Sequence, residues 1–170
     1  MENDLQERKA KGVRLERRLV AVCKEKRVTV ATAESCTGGM VAVRITSVPG
    51  SSAVFLGGVV SYADAVKQDV LGVPQTVLEQ KGAVSEECAC AMAKGARALL
   101  KTNIVVSVTG IAGPGGGTPE KPVGLVWFGV ADGQEGTRAE RRVFAGGRAA
   151  VRRQAAEHAL ELLLEAAARQ

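Results

Sequence analysis

Residues 32–39, Thr-Ala-Glu-Ser-Cys-Thr-Gly-Gly, constrain the fold of this chain more than any other stretch. A β-type run, predicted as a strand at residues 28–33, leads into them, and an apolar-periodic segment predicted as a helix at residues 37–47 follows. At a helix N-terminus the first N–H groups lack intrahelical partners, and glycines let a ligand approach them closely. Ser35 is therefore a candidate nucleophile beside an oxyanion site. The alternative is that Ser35 or Thr37 only caps the helix.

The other hydrophobic patterns predict an alternation of helices and strands. Further helices are predicted at residues 12–26, 65–71, 75–80, from Ser85 onward, and at 149–168; further strands are predicted at 53–60, 103–109, 123–131 and 138–144. Both the 53–60 and the 103–109 strands are expected to be buried. The order predicts a three-layer α/β/α sandwich with a mixed, mainly parallel sheet. We expect one domain over residues 1–170, with residues 1–11 frayed or forming a helical extension.

Three segments with functional chemistry each follow a predicted strand. They are Ser35, Tyr62 and the glycine-rich loop at residues 110–117. In open α/β sheets, ligands bind outside the carboxyl ends of the strands. We therefore expect these segments to line one edge of the sheet.

Charge and hydropathy exclude several function classes. The formal net charge is +5, but Trp127 and Tyr62 are the only large polar aromatics, so the chain lacks stacking platforms for nucleic acid. We therefore expect a solvated basic surface and no nucleic-acid partner. The longest apolar run is too short to span a bilayer, and the N-terminus lacks the pattern of a signal peptide. These features predict a cytoplasmic protein with no membrane partner.

Metal and histidine chemistry are also not expected. The four cysteines show no Cys-x-x-Cys spacing, and His158 is the only histidine, so neither a zinc site nor another metal or cofactor is predicted. His158 falls on the apolar stripe of the last predicted helix, which indicates a core or boundary residue rather than a member of a serine triad.

A desolvated lysine can replace histidine as the base, because its neutral form accepts a proton. Lys67 lies on a short predicted helix, five residues after Tyr62, the only tyrosine. In this hypothesis Tyr62 bridges Lys67 and Ser35 as a proton relay. The alternative is that Lys67 is a solvated surface residue.

Several ordered motifs resemble the CinA carboxy-terminal domain family over about residues 15–163. The motifs are Ala-Glu-Ser-Cys-Thr-Gly-Gly at 33–39, Gly-Val-Val-Ser-Tyr at 58–62 with Lys67, Gly-Ala-Val-Ser-Glu at 82–86, Gly-Ile-Ala-Gly-Pro at 110–114 and Lys-Pro-Val-Gly at 121–124. The resemblance, to the stand-alone form of the family, implies a nicotinamide mononucleotide amidohydrolase. Such an enzyme releases ammonia from the carboxamide and leaves nicotinic acid mononucleotide. We also expect a small-molecule nucleotide substrate and a homodimer or larger homo-oligomer.

The resemblance also implies roles for individual residues. Ser35, Tyr62 and Lys67 correspond to the catalytic set, and the remaining candidates bind the oxyanion or the substrate: Thr37, Gly38, Gly39, Thr109, Gly110, Gly113, Gly115 and Arg148. Gly147 stands where many members have an acid, which puts the capping of the last helix and the placement of Arg148 in question. A second class stays open, namely a nucleotide-binding or competence-related regulatory protein without turnover.

Overall fold

The structure, a computed structural model, describes residues 14–170. These residues form one five-stranded sheet from β1 (Val30–Glu34), β2 (Phe55–Val60), β3 (Ile104–Gly110), β4 (Leu125–Asp132) and β5 (Gly136–Val143). The strand order is β2-β1-β3-β4-β5. β1 is parallel to β2 and β3, whereas β4 is antiparallel to both β3 and β5. All strands except β4 therefore point the same way, which confirms the mixed, mainly parallel sheet.

Helices cover both faces of the sheet. They are α1 (Leu15–Lys26), α2 (Met40–Thr46), α3 (Asp64–Leu71), α4 (Gln75–Gln80), α5 (Glu86–Leu100) and α6 (Arg148–Ala168). Buried side chains of α1, α2 and α6 form one apolar cluster with the sheet, and those of α3 and α5 form a second cluster with it. The three-layer α/β/α sandwich is confirmed.

The central strand β3 supplies both apolar clusters. Ile104, Val106 and Val108 join the first cluster and Val105 joins the second, in agreement with the alternation of side chains along a strand. This confirms that the third strand is buried on both faces.

The prediction for residues 53–60 is wrong in its start and in its burial. A short 3₁₀ turn, Ser51–Ala53, precedes β2, which begins at Phe55. β2 lies at the sheet edge, where Leu56 and Val60 are about half exposed. A short apolar run does not by itself distinguish a central strand from an edge strand.

The start of α2 differs from the sequence prediction, whereas the start of α5 agrees with it. α2 begins at Met40 instead of residue 37, because Gly38 and Gly39 adopt positive φ angles of 59° and 95° and extend the preceding turn. α5 begins after Ser85, whose hydroxyl accepts the N–H of Cys88 at 3.2 Å, as predicted. The expectations for residues 1–11 and for the helix start at residue 12 lie outside the described residues.

α3 and α5 pack against each other without an intervening side chain. A Cβ added to Gly95 of α5 would lie 1.8 Å from the carbonyl oxygen of Leu71, the last residue of α3. No side chain fits at that distance, so glycine is required for this approach. The contact fixes the position of α3, the helix that carries Lys67.

Within residues 14–170, no helix is both long enough and apolar enough to cross a membrane.

Candidate active site

A pocket of about 200 Å³ opens at the carboxyl ends of the three parallel strands. Its lining residues are Ser35, Cys36, Tyr62, Asp64, Lys67, Ala83, Val84, Thr109, Gly110, Ala112 and Arg148. The segments that follow β1, β2 and β3 therefore share one edge of the sheet, as the sequence predicted. The backbone joins them, since the N–H of Ser35 donates to Val108 and the N–H of Ser61 donates to Glu34.

Ser35 and Lys67 meet in this pocket. The amine nitrogen of Lys67 lies 3.3 Å from the hydroxyl oxygen of Ser35. The Lys67 side chain is only 1% exposed, so the alternative of a solvated surface lysine is wrong. A buried amine in direct contact with a serine hydroxyl is the arrangement that lysine-activated nucleophiles require.

Three oxygen atoms of the protein accept hydrogen bonds from the Lys67 amine. Its nitrogen contacts the carbonyl oxygens of Ser61 at 2.9 Å and Tyr62 at 3.1 Å. It also donates to the Ser35 hydroxyl at 3.3 Å. If the amine loses a proton, the two carbonyls can keep two N–H bonds and the lone pair can face the Ser35 hydroxyl. The carboxylate of Asp64 lies farther away, at 3.5 Å, where it acts as an ion-pair partner of the protonated amine.

Glu34 anchors the turn that carries Ser35. Its buried carboxylate accepts the N–H groups of Gly39 at 3.0 Å, Val41 at 3.1 Å and Ala42 at 2.9 Å. A carboxylate at the N-terminus of a helix is favoured both by these hydrogen bonds and by the helix dipole. Glu34 therefore caps α2, so neither Ser35 nor Thr37 does so.

This cap corrects the prediction for the oxyanion-binding amides. The N–H of Gly39 donates to Glu34, and the N–H of Gly38 donates to the carbonyl of Ser35 at 3.0 Å. Both amides are therefore occupied and unavailable to a ligand. In the part of the chain that the structure describes, the N–H groups of Cys36 and Thr37 donate to no backbone or carboxylate oxygen.

The turn is held from the other side by α6. The guanidinium of Arg152 donates to the carbonyl of Cys36 at 3.0 Å and to that of Thr37 at 3.1 Å. With these carbonyls directed to Arg152 and with Glu34 on the next amides, the backbone around Ser35 is fixed by two charged side chains.

Tyr62 contacts Arg148 rather than the nucleophile. The guanidinium of Arg148 donates to the Tyr62 hydroxyl at 3.0 Å and to the carbonyl of Gly113 at 2.9 Å. The Tyr62 side chain is 60% exposed, and Lys67 reaches Ser35 directly. The bridging position predicted for Tyr62 is therefore not observed.

Gly147, which stands where many family members have an acid, directly precedes Arg148 at the start of α6. Gly147 is the N-cap residue of α6 and makes no side-chain hydrogen bond, but its carbonyl accepts the N–H of Val151 at 3.0 Å. α6 thus starts at Arg148, whose guanidinium lines the pocket.

The other predicted binding residues differ in how they relate to the pocket. Thr109 and Gly110 line the pocket, and the Thr109 hydroxyl donates to the carbonyl of Ala83 at 2.7 Å. Gly113 reaches the site through its carbonyl, which Arg148 holds. Gly115 is exposed and does not line this pocket.

Cysteine and histidine do not supply the chemistry of this site. Burial raises the pKa of the Cys36 thiol to about 11, so at neutral pH this thiol is uncharged and a poor nucleophile. The ring nitrogens of His158 contact Glu140 and Glu161. No cluster of metal-ligating side chains occurs within residues 14–170.

Sequence reasoning missed Asp64 and Cys36 as lining residues. Asp64 had a usable signal, because it stands three residues before Lys67 and therefore on the same face of a helix. Cys36 had a signal too, since it directly follows Ser35 in the turn at residues 32–39.

Comparisons with known proteins identify the family of this chain. The CinA C-terminal domain model matches residues 13–167. A CinA-like protein of Akkermansia muciniphila is 48% identical over 155 residues, which are 91% of this chain and 37% of that protein. A CinA-like protein of Anaeromyxobacter dehalogenans is 58% identical over 134 residues, 79% of this chain and 33% of that protein. The chain thus spans about a third of the length of these relatives.

Solved structures share the whole domain. A competence/damage inducible protein from Agrobacterium tumefaciens superposes with a TM-score of 0.87 at 41% identity, over 92% of this chain and 94% of that one. A CinA superfamily protein from Klebsiella pneumoniae gives a TM-score of 0.87 at 33% identity, over 92% and 97% of the two chains. The chain belongs to the CinA C-terminal domain family.

Proposed function

We propose that this domain is an amidohydrolase that converts nicotinamide mononucleotide to nicotinic acid mononucleotide and ammonia. The observation that carries the proposal is the contact between the buried amine of Lys67 and the hydroxyl of Ser35, 3.3 Å apart in the floor of a pocket. An amide is a fitting substrate class, because a serine can attack its carbonyl carbon and the lysine can return the proton to its nitrogen.

The reaction begins with Ser35 as nucleophile. Neutral Lys67 removes the hydroxyl proton while the Ser35 oxygen bonds to the carboxamide carbon. The resulting ammonium of Lys67 then protonates the amide nitrogen, the carbon–nitrogen bond breaks, and ammonia leaves an acyl-enzyme. Water attacks the ester carbon while Lys67 accepts one of its protons. The bond from the carbon to the Ser35 oxygen then breaks, Lys67 returns the proton to that oxygen, and the carboxylic acid is released.

The oxyanion of this intermediate needs hydrogen-bond donors beside Ser35. Gly38 and Gly39 cannot supply them, because their amides are occupied within the turn. We assign this role to the N–H groups of Cys36 and Thr37, whose carbonyls Arg152 holds. Cys36 lines the pocket and directly follows the nucleophile in the chain.

The pocket fits the reacting end of a nucleotide. Pockets that enclose a whole small molecule usually measure roughly 300–1,000 Å³, whereas this one measures about 200 Å³. The pyridine ring and its carboxamide would therefore occupy it, with the ribose phosphate toward the rim. Arg148 lines the pocket, and we expect its guanidinium to bind the phosphate, because the two groups have matching hydrogen-bond geometry.

The competing proposal is a nucleotide-binding regulator without turnover. It requires the same pocket but gives no role to the contact between Lys67 and Ser35. Burying the Lys67 amine costs free energy because the amine loses its hydration. Nucleotide binding alone does not explain why this cost is accepted beside the Ser35 hydroxyl. The amidohydrolase is therefore the better supported of the two.

Ammonia release from nicotinamide mononucleotide tests the proposal. The unaltered protein should release ammonia, and Ser35→Ala should lower kcat by about 10³-fold or more while the fold is retained. Ser52→Ala, at an exposed serine outside the pocket, is the matched control and should keep full activity. Binding of the nucleotide without ammonia release would favour the regulator, and unchanged turnover in Ser35→Ala would refute the nucleophile.

A further inference from the structure

Asp64 has a position in the pocket that the mechanism above leaves without a role. It lies in the first turn of α3 and its side chain is 61% exposed. One carboxylate oxygen is 3.5 Å from the Lys67 amine, and the carboxylate accepts no hydrogen bond from residues 14–170. A negative charge that lines a pocket and lacks a hydrogen-bond donor is available to a ligand.

The chemistry of amide cleavage directs the leaving nitrogen toward this charge. Lys67 must protonate that nitrogen, so the nitrogen has to come within hydrogen-bond distance of the Lys67 amine. The approach to that amine is limited, because Ser61 and Tyr62 carbonyls and the Ser35 hydroxyl already surround it. The remaining neighbour is the carboxylate of Asp64.

The geometry points to Asp64 as the residue that distinguishes the amide substrate from its carboxylate product. This assignment rests on the proposed function and names the specificity element of the same site. A carboxamide presents N–H donors that the Asp64 carboxylate accepts. A carboxylate in the same position presents an oxygen with negative charge, which Asp64 repels.

The same charge has a second effect during the reaction. When Lys67 takes the proton of Ser35, the carboxylate of Asp64, 3.5 Å from the amine, becomes the counter-charge of the new ammonium. After hydrolysis the ammonium returns its proton, and the two carboxylates of Asp64 and product face each other. Asp64 thus favours binding of the amide substrate and disfavours binding of the carboxylate product.

The test compares ligand affinities without turnover. In a Ser35→Ala background, the dissociation constants of nicotinamide mononucleotide and nicotinic acid mononucleotide are measured by calorimetry. Both ligands carry the same ribose phosphate, so the ratio of their constants reports only the amide and carboxylate ends. The Ser35→Ala protein should prefer the amide, and adding Asp64→Asn should shift the ratio about tenfold toward the carboxylate.

Asp69→Asn is the matched control, because it removes the same charge from an exposed position of the same helix. It should leave the ratio unchanged. A measurement on the Ser35→Ala protein alone supplements the variants: raising the salt concentration should reduce its preference for the amide, since screening weakens repulsion at a partly exposed charge.

Two results would overturn the assignment, and they have different meanings. If both ligands bind and Asp64→Asn leaves their ratio where it was, Asp64 does not discriminate, although the amidohydrolase proposal stands. If the unaltered protein neither binds nor deamidates the nucleotide, the proposed function fails and the role of Asp64 fails with it.

Discussion

The amine of Lys67 lies 3.3 Å from the hydroxyl of Ser35, although 32 positions separate the two residues in the chain. Ser35 directly follows β1, and Lys67 belongs to the helix that follows β2, the neighbouring strand. The parallel pairing of these strands brings the two ends together, and the burial of Lys67 removes competing water from its amine. The predictions below test what each part of this arrangement contributes.

Two substitutions of Lys67 distinguish a role as a base from a role as a fixed positive charge. Lys67→Arg keeps the positive charge but cannot give a neutral base at any working pH, because arginine stays protonated. It should therefore lose activity as fully as Lys67→Met, by at least about 10²-fold in kcat. Ammonia release measured at saturating substrate tests this. Near-normal turnover in Lys67→Arg would mean that the side chain contributes only its charge.

The contact of Tyr62 with Arg148 predicts a binding role rather than a proton relay. Tyr62→Phe removes the hydroxyl that accepts from Arg148 but leaves Lys67 in contact with Ser35. We expect KM to rise several-fold and kcat to fall less than about tenfold. A fall in kcat of roughly 10²- to 10⁴-fold at unchanged KM would instead support the relay. Steady-state kinetics distinguish the two outcomes.

The cap formed by Glu34 predicts a linked loss of stability and activity. Glu34→Gln places an amide NH₂ among three backbone donors, so at least one hydrogen bond to α2 is lost. The free energy of unfolding should fall by about 1–3 kcal/mol, and kcat should fall as the Ser35 turn loosens. Urea unfolding and ammonia release are the measurements. Glu25→Gln, at an exposed glutamate of α1, should change neither.

Buried thiols predict a loss of stability in alkaline solution. Burial raises the pKa values of Cys23, Cys36 and Cys88 to about 11, from an ordinary value of 9.0. Between these two values the unfolded chain releases thiol protons that the folded protein retains. The unfolded state then binds fewer protons, so the free energy of unfolding falls as the pH rises from about 9 toward 11.

The size of that effect can be isolated in one variant. At pH 10 each such thiol should lower the free energy of unfolding by about 1 kcal/mol relative to pH 8. Cys88→Ala should therefore show a smaller alkaline loss than the unaltered protein in urea titrations at the two pH values. An equal loss in both proteins would show that the Cys88 thiol does not contribute.

The sheet and the edge that carries the site were predictable because both depend on local patterns. Alternating strand and helix signals fix the layers, and residues that follow parallel strands must meet at one edge. Lys67 was identified from its spacing to Tyr62 and from the family resemblance. Its burial could not be read from a polar residue in a short helix, since burial depends on the packing of α3 against α5.

The sequence pattern failed where one group had two possible partners. Gly38 and Gly39 were predicted to bind an oxyanion through their amides. The carboxylate of Glu34, the residue before Ser35, accepts the Gly39 amide instead. Tyr62 was predicted to relay a proton, but its hydroxyl accepts a hydrogen bond from Arg148, which is distant in the chain. Such choices depend on distances between segments that only the folded chain defines.

Because of the close approach of Gly95 to Leu71, the distance between Ser35 and Lys67 depends on helix packing. α3 contacts α5 through backbone atoms at this point, and no side chain lies between them that could adjust the distance by changing its conformation. A single methyl group at position 95 would push α3 away from α5, and the Lys67 amine would move with α3. The distance between the Lys67 amine and the Ser35 hydroxyl thus depends on a helix crossing whose contact residues, Gly95 and Leu71, lie outside the pocket of Ser35.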